Sequence, residues 1–394
     1  MMRRVVRSFR AWPAALRLPA AAKAARRKDS LGVPAEDPGV ERAIDEGVAW
    51  LGRAQDHSAS ADGGVARHYS LISGWGPSYP ETTGYIIPTM LAYAKLRADE
   101  SVRQRAKRML DWLVSIQLPE GGFQAGTIGS KPVVPVTFNT GQILLGLASG
   151  VREFGLYDEA MRRAADWLVK NQDADGCWRT HLTPRAIPGE KTYETHVAWG
   201  LLEAARLAPE MPYGPAAIAN LRWALRWQHD NGWFDKCCLS NPVKPLTHTL
   251  GYALRGIIEG YRFTGDLLFL QAAQRAADGV LEALHPDGFL PGRLGSNWRG
   301  DVAWACLTGT AQMACCWFLL FEQTGEARYR KAALAANRYV RRTMQMDGPP
   351  ETRGAIKGSF PVYGQYGSYR YLNWATKFFI DANLLEHSLC CSNQ

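Results

Sequence analysis

An all-α ring of six helical hairpins, an (α/α)6 toroid, is the fold this sequence predicts, and three observations predict it. A helix–turn–helix unit recurs about six times along 394 residues, strand signals are almost absent, and the second helix of each unit is apolar on most of its surface. Hairpins in series each have two faces to bury. Closing them into a ring buries both, with the apolar helices inside and a cavity along the axis.

The chain opens on a basic tail. Residues 1–28 hold nine of the 46 Lys and Arg residues and no acid, so the other 37 basic residues balance the 37 acidic ones. A net charge of +9 is therefore a property of the tail, and the remainder carries no basic face of the kind nucleic acid requires. The tail's apolar run is broken by Arg17 and Pro19, which is too short for a signal peptide. A disordered tail and linker is expected over residues 1–40, able to touch anionic lipid, followed by one toroid domain over residues 41–394. Six of the eight cysteines fall in vicinal pairs, Cys237-Cys238, Cys315-Cys316 and Cys390-Cys391, which make poor disulfides. A reducing cytosol, with the tail at the inner membrane surface, is the expected location.

The repeats follow one grammar. An outer helix ends in an aromatic and an aliphatic residue, Gln comes five residues after the aromatic, and a Gly turn, a loop and an inner helix follow. Copies begin at Trp50-Leu51-Gln55, Trp112-Leu113-Gln117, Trp167-Leu168-Gln172 and Trp223-Gln228, with Gly turns at Gly63, Gly121, Gly176 and Gly232. The fifth keeps only Asp287-Gly288-Phe289 and the sixth only Asp347-Gly348. Inner helices open on Thr83-Gly84, Thr140-Gly141, Thr195-His196, Thr247-His248 and Thr308-Gly309. Residues 195–207 and 247–261 space their apolar side chains by three and four, as buried helices do. The extended-looking run at 131–138 contains two prolines and reads as a loop.

The third copy, with Arg163, Ala164, Trp167, Leu168, Gln172, Gly176 and Trp178, resembles the turn motif of the squalene cyclase and protein prenyltransferase superfamily. That resemblance implies the toroid and makes Trp178 a turn closer. It does not carry the chemistry across, because the aspartate-rich DxDD string of the cyclases is missing. Asp301, Cys306 and His248 are zinc-ligand types, as in the prenyltransferases, but their spacing forms no recognisable copy of that site. No metal or cofactor is therefore expected. The toroid is also similar to six-hairpin glycosidases, polysaccharide lyases and uronyl epimerases. Residues 354–386 look like the ending of toroid proteins encoded with bacterial surface-polysaccharide genes, which implies an oligo- or polysaccharide substrate.

Inner-helix N-termini and the loops before them should share one mouth of the ring, so polar residues 50 to 60 positions apart converge there. Glu81, Tyr193, Glu194, His196, His248 and Asp301 are the candidate catalytic residues. Trp75, Tyr79, Asn139, Trp298, Arg299, Tyr371, Asn373 and Lys377 are the candidate substrate-binding residues. Glu81 and Glu194 have an equally good reading as helix caps, and each His as a hydrogen-bonded core residue. Tyrosines, histidines and cations outnumber paired acids. That balance favours elimination or C5-epimerisation of a uronate, where a base, an acid and a carboxylate-neutralising cation are needed. Glycoside hydrolysis by paired carboxylates, Glu81 or Asp301 with Glu194, is the alternative. A terpenoid cyclase or prenyltransferase-like enzyme and a glycan-binding toroid without catalysis complete the set.

Overall fold

The computed structural model describes residues 17–184 and 186–391. The arginine-rich start of the chain, on which the lipid-contact expectation largely rests, lies outside the described residues. After α1 (Ala20–Ser30), the elements fall into two circles. The outer circle is α2 (Val40–Asp56), α4 (Glu100–Ser115), α6 (Asp158–Lys170), α8 (Tyr213–Leu225), α10 (Leu267–Glu282) and α12 (Ala327–Arg342). The inner circle is α3 (Pro80–Arg97), α5 (Thr137–Phe154), α7 (Thr195–Ala205), α9 (Thr247–Thr264), α11 (Leu307–Thr324) and α13 (Asn373–Cys391). Each inner helix packs on the next, and α13 packs on both α3 and α2, so the last inner helix and the first outer helix form the sixth hairpin. The toroid is closed.

Composition separates the two circles. α6 buries Ala160, Met161, Ala164, Ala165, Trp167 and Leu168 on one stripe, starts on Asp158 and Glu159 and ends on Lys170, which suits its dipole. In α11 every residue from Leu307 to Leu320 is buried, because an inner helix has neighbours on all sides.

The repeated Gln is a stitch. Gln172 Nε2 donates to Gly176 O at 3.0 Å and to Ala216 O of the next outer helix at 3.0 Å. Gln55, Gln117 and Gln228 do the same to Gly63 and Arg105, Gly121 and Ala160, and Gly232 and Ala272. Gly176, at φ +91°, lies so close to the α8 backbone at Ala219 that no Cβ fits. Trp178 closes its turn, fully buried, through an Nε1–H to Leu168 O bond of 2.9 Å. In the degenerate sixth copy this place is taken by Gly354, at φ +80° against Glu46, rather than by Gly348. Trp50 Nε1 then donates to Glu351 O at 2.8 Å and seals the ring.

Inner-to-outer connections are two or three residues in four of the hairpins, as between Arg97 and Glu100 or Thr264 and Leu267. Outer-to-inner connections are long and carry the strands found among the described residues. β1 (His68–Ser70), β2 (Gly74–Trp75) and β5 (Arg370–Leu372) form one antiparallel sheet in the order β2-β1-β5, and β3 (Ala305–Cys306) pairs with β4 (Ser359–Phe360). Every long loop thus lies at one end of the ring, where inner helices begin.

Residues 20–40 depart from the expected structureless tail. α1 docks on the last loop: Asp29, 4% exposed, pairs with Lys357 Nζ at 2.6 Å and accepts the Val362 N–H at 2.7 Å. Arg341 then holds Asp37 at 2.6 Å. The two charged side chains satisfy each other in the interior. Among the described residues no helix is long and apolar enough to cross a membrane, and Cys177, Cys237, Cys238, Cys306, Cys315 and Cys316 are buried thiols without disulfides.

Candidate active site

A cavity of about 220 Å³ opens at the loop end of the ring, lined among others by Arg67, Tyr79, Glu81, Tyr85, Tyr193, His248, Tyr252, Tyr366, Arg370 and Trp374. Four of the residues singled out in the sequence are here. Pro80 starts α3 and sets Glu81 in its first turn, where the carboxylate accepts the Tyr79 hydroxyl. Tyr193 comes from a 3-10 turn, Thr192–Glu194, and Phe138 meets its ring edge-on at 5.5 Å. Burial, and then the neighbouring Glu194, push the Tyr193 hydroxyl well above its usual range. His248 opens α9, with Nδ1 at 2.8 Å from Gln312 Oε1, and burial pushes the imidazole down to about 4.

Others among the expected site residues lie elsewhere. Asp301 is exposed and paired with Lys244, because its loop runs outward between β3 and α10 rather than over the mouth. Arg299 is exposed on the same loop. Trp298 wedges against Gly279 and donates from Nε1 to Asn231 O at 2.9 Å, a loop anchor rather than a sugar platform. Trp75 is packed between Trp50, His57 and Tyr69. Asn139 braces its loop through Gln124 O at 2.8 Å, and Asn373 ties Ala66 O and Thr82 Oγ1 at 3.0 and 2.8 Å. Tyr371 is buried opposite Tyr69 in the small sheet.

Glu194 and His196 stand behind the cavity wall. Glu194 is 2% exposed with Oε2 unpaired, and burial pushes its carboxyl up to about 8, opposed by Lys191. His196 is fully buried, with Nδ1 at 2.6 Å from Gln142 Oε1 and its ring 4.6 Å from that of Tyr252. Lys377 lies deeper along α13 and lines a different chamber, of about 270 Å³, at the opposite mouth. There its ammonium is bound by Asp381 at 2.5 Å, while Arg255 is bound by Glu259 at 2.7 Å and Arg152 by Glu203. That chamber is charge-balanced. Tyr85 separates the two spaces, its hydroxyl 3.4 Å from that of Tyr252 and its ring 5.3 Å from Lys377 Nζ.

Sequence reasoning did not single out Tyr85, Tyr252, Tyr366, Trp374, Arg67 and Arg370. Two carried a usable signal: Tyr85 and Tyr252 follow Glu81 and His248 by four residues, so each sits one turn deeper on the same helix face. The arginines come from loops and carried none. Arg67 stacks over Tyr79 and Trp374 at 5.5 and 5.3 Å, and no carboxylate among the described residues lies within ion-pair distance of Arg67 or Arg370. Burial, then the Arg67 charge, push Arg370 downward, and burial and both arginines push His68 down to about 4. Two guanidinium groups at the rim thus repel each other and leave a place for an anion.

The closed ring of six hairpins decides the structural comparison. The fold is that of the unsaturated glucuronyl hydrolases. A heparin-specific member superposes with a TM-score of 0.72 at 15% identity over 89% of this chain and 98% of its own. The glycosaminoglycan-degrading enzyme of Bacillus sp. GL1 gives 0.68 at 15% identity over 88% and 96%. A variant of the Streptococcus agalactiae enzyme, in complex with dGlcA-GalNAc6S, gives 0.66 at 13% over 91% and 94%. No family model matches the sequence, and no curated protein is significantly similar to it.

Proposed function

We propose that this chain is a carbohydrate-active enzyme acting at a uronyl residue of a glycan, by a step that moves a proton at the carbons beside the uronate carboxylate. Elimination or C5-epimerisation is such a step. The observation that carries the proposal is the pair Arg67 and Arg370, unmatched by any acid among the described residues, at the rim of a cavity whose lining contains Glu81 as its carboxylate. The arginines hold the uronate carboxylate and make the adjacent C–H more acidic. Glu81, in contact with Tyr79, and His248 with Tyr193 supply proton acceptor and donor. Trp374 offers an aromatic face to the sugar ring.

A second reading is hydrolysis, favoured by the shared fold with the unsaturated glucuronyl hydrolases. An unsaturated uronyl end is an enol ether, which one proton donor and one water can cleave, so Glu81 serves there too. In the paired-carboxylate form of that reading Glu194 is the second acid and Tyr193 has to move aside. We place the enzyme in the cytosol, with the basic tail available to anionic lipid. The turn motif shared with squalene cyclases is, in this reading, a scaffold feature.

One assay separates the outcomes. Uronate polysaccharides and unsaturated uronyl disaccharides are incubated with the protein in D2O. A lyase raises the unsaturated-uronate absorbance, an epimerase places deuterium at C5, and a hydrolase removes the absorbance of unsaturated ends. Arg370→Gln should raise KM at least tenfold for whichever substrate responds. Equal turnover of neutral and uronate glycans, or a melting shift with polyprenyl diphosphate and none with any uronate, overturns the proposal.

A further inference from the structure

The ring builds the same side-chain pair twice. His196 on α7 meets Gln142 on α5, and His248 on α9 meets Gln312 on α11, each through Nδ1 and a glutamine Oε1, at 2.6 and 2.8 Å. The two histidines occupy equivalent places, one residue after the Thr that opens consecutive inner helices. Their surroundings differ. His196 Nε2 is buried with no partner and its residue lies off the cavity, whereas His248 lines the cavity and its Nε2 is not among the buried unpaired atoms.

A neutral imidazole carries one N–H, and a carboxamide oxygen can only accept. With Nδ1–H committed to Gln312, the lone pair belongs to Nε2 and looks into the cavity. We infer that Gln312 is the positioning residue for His248, holding the Nδ1–H tautomer and so presenting an Nε2 acceptor to the substrate. Gln312 is 3% exposed and reaches the ring because α9 has Gly251 at that level, where a Cβ would come within 2.8 Å of Gln312 Cβ. Tyr252 and Tyr366 seat the imidazole at centroid distances of 4.5 and 5.3 Å. Around the same cavity stand Glu81 and Tyr85 of α3, Tyr193 of the 3-10 turn, and Arg67 and Arg370 of the rim loops. The Cys306 thiol lies near the His248 backbone N–H, beside α11. Burial keeps the ring neutral near neutral pH, which the tautomer argument requires.

The tautomer is inferred from the contact between His248 Nδ1 and Gln312 Oε1, while its use as a base rests on the function proposed above. The test is the imidazole 15N spectrum of the full chain, labelled at histidine and assigned by the signals lost in His248→Ala. The expected spectrum has a protonated Nδ1 and a pyridine-type Nε2 for His248. Gln312→Leu should move the proton towards Nε2 and lower kcat at least tenfold with KM little changed. Gln312→Glu should raise the pH at which His248 titrates and move the acid limb of the rate profile with it. Gln142→Leu should change the His196 signals alone and leave turnover as it was. A proton on Nε2 in the wild type, or an unchanged spectrum in Gln312→Leu, overturns the inference. If Gln312→Leu does not fold, the wild-type spectrum decides. If the tautomer is as expected and no uronate is turned over, the functional reading fails and the assignment of Gln312 stands.

Discussion

The side-chain amide of Gln172 donates to the carbonyl oxygen of Ala216 at 3.0 Å, joining the end of one outer helix to the next across 44 positions of sequence. Its second bond, to Gly176 O, holds the intervening turn. Gln172→Ala removes both bonds across the wall of the ring, although Gly176 O keeps its bond from Asn220 Nδ2. A loss of about 2 kcal/mol is expected, seen as a melting temperature lower by several degrees with kcat/KM unchanged. Circular dichroism and the uronate assay together check it, and loss of activity without loss of stability would contradict the scaffold role.

Glu81 accepts the Tyr79 hydroxyl at the cavity. Glu81→Gln should lower kcat by about 10²- to 10⁴-fold, the usual contribution of a proton-transfer group, without moving the melting temperature. Tyr79→Phe should cost less, since the carboxylate stays. Asp301→Asn, on the exposed loop, should leave kcat and KM as they are. Wild-type rates in Glu81→Gln would remove this residue from the site.

Glu194 makes stability depend on pH. Its carboxyl titrates near 8 in the fold because of burial, against an ordinary value of 4.5, so between these the native state binds more protons than the unfolded one. The protonated side chain therefore stabilises fully below the ordinary value, and that contribution is lost as pH rises towards 8. Glu194→Gln should gain on the wild type across this window, by up to ~1.4 kcal/mol per pH unit. Urea unfolding from about pH 5 to about pH 8 measures the difference, and parallel curves would exclude it.

Asp29 and Lys357 form an ion pair with both side chains in the interior. Asp29→Ala strands a buried ammonium and should cost about 3–5 kcal/mol, whereas Asp29→Ala with Lys357→Met should recover much of it. Because β5 and the cavity rim at Arg370 lie on the same loop as Lys357, the single variant should also raise KM. A double-mutant cycle, read by urea unfolding, gives the coupling.

The repeat made the ring legible before any coordinates. Trp167, Gln172 and Gly176 recur because a helix end, a stitch and a tight turn are local problems with local solutions, and the amphipathic and fully apolar helices separate outer from inner. The same periodicity brought Glu81, His248, Tyr79 and Tyr193 to one mouth, since residues that open inner helices must share an end of the ring. It failed where a loop's path decides. Asp301 and Trp298 matched the pattern, yet their loop turns outward; Arg67 and Arg370 matched nothing and are at the rim.

Depth within the ring was equally out of reach. His196 and His248 look alike in sequence, and Lys377 looked like a partner for the substrate. Whether a side chain meets the cavity, the wall or the opposite chamber depends on a turn of helix and on what the neighbouring helix places against it. The sequence by itself determined the fold, the closure and the end of the ring that carries chemistry, because these follow from hydrophobic period and turn residues. Only the tertiary structure decided which polar groups face one another, because charge pairing, burial and tautomer are set by contacts between repeats some 50 residues apart.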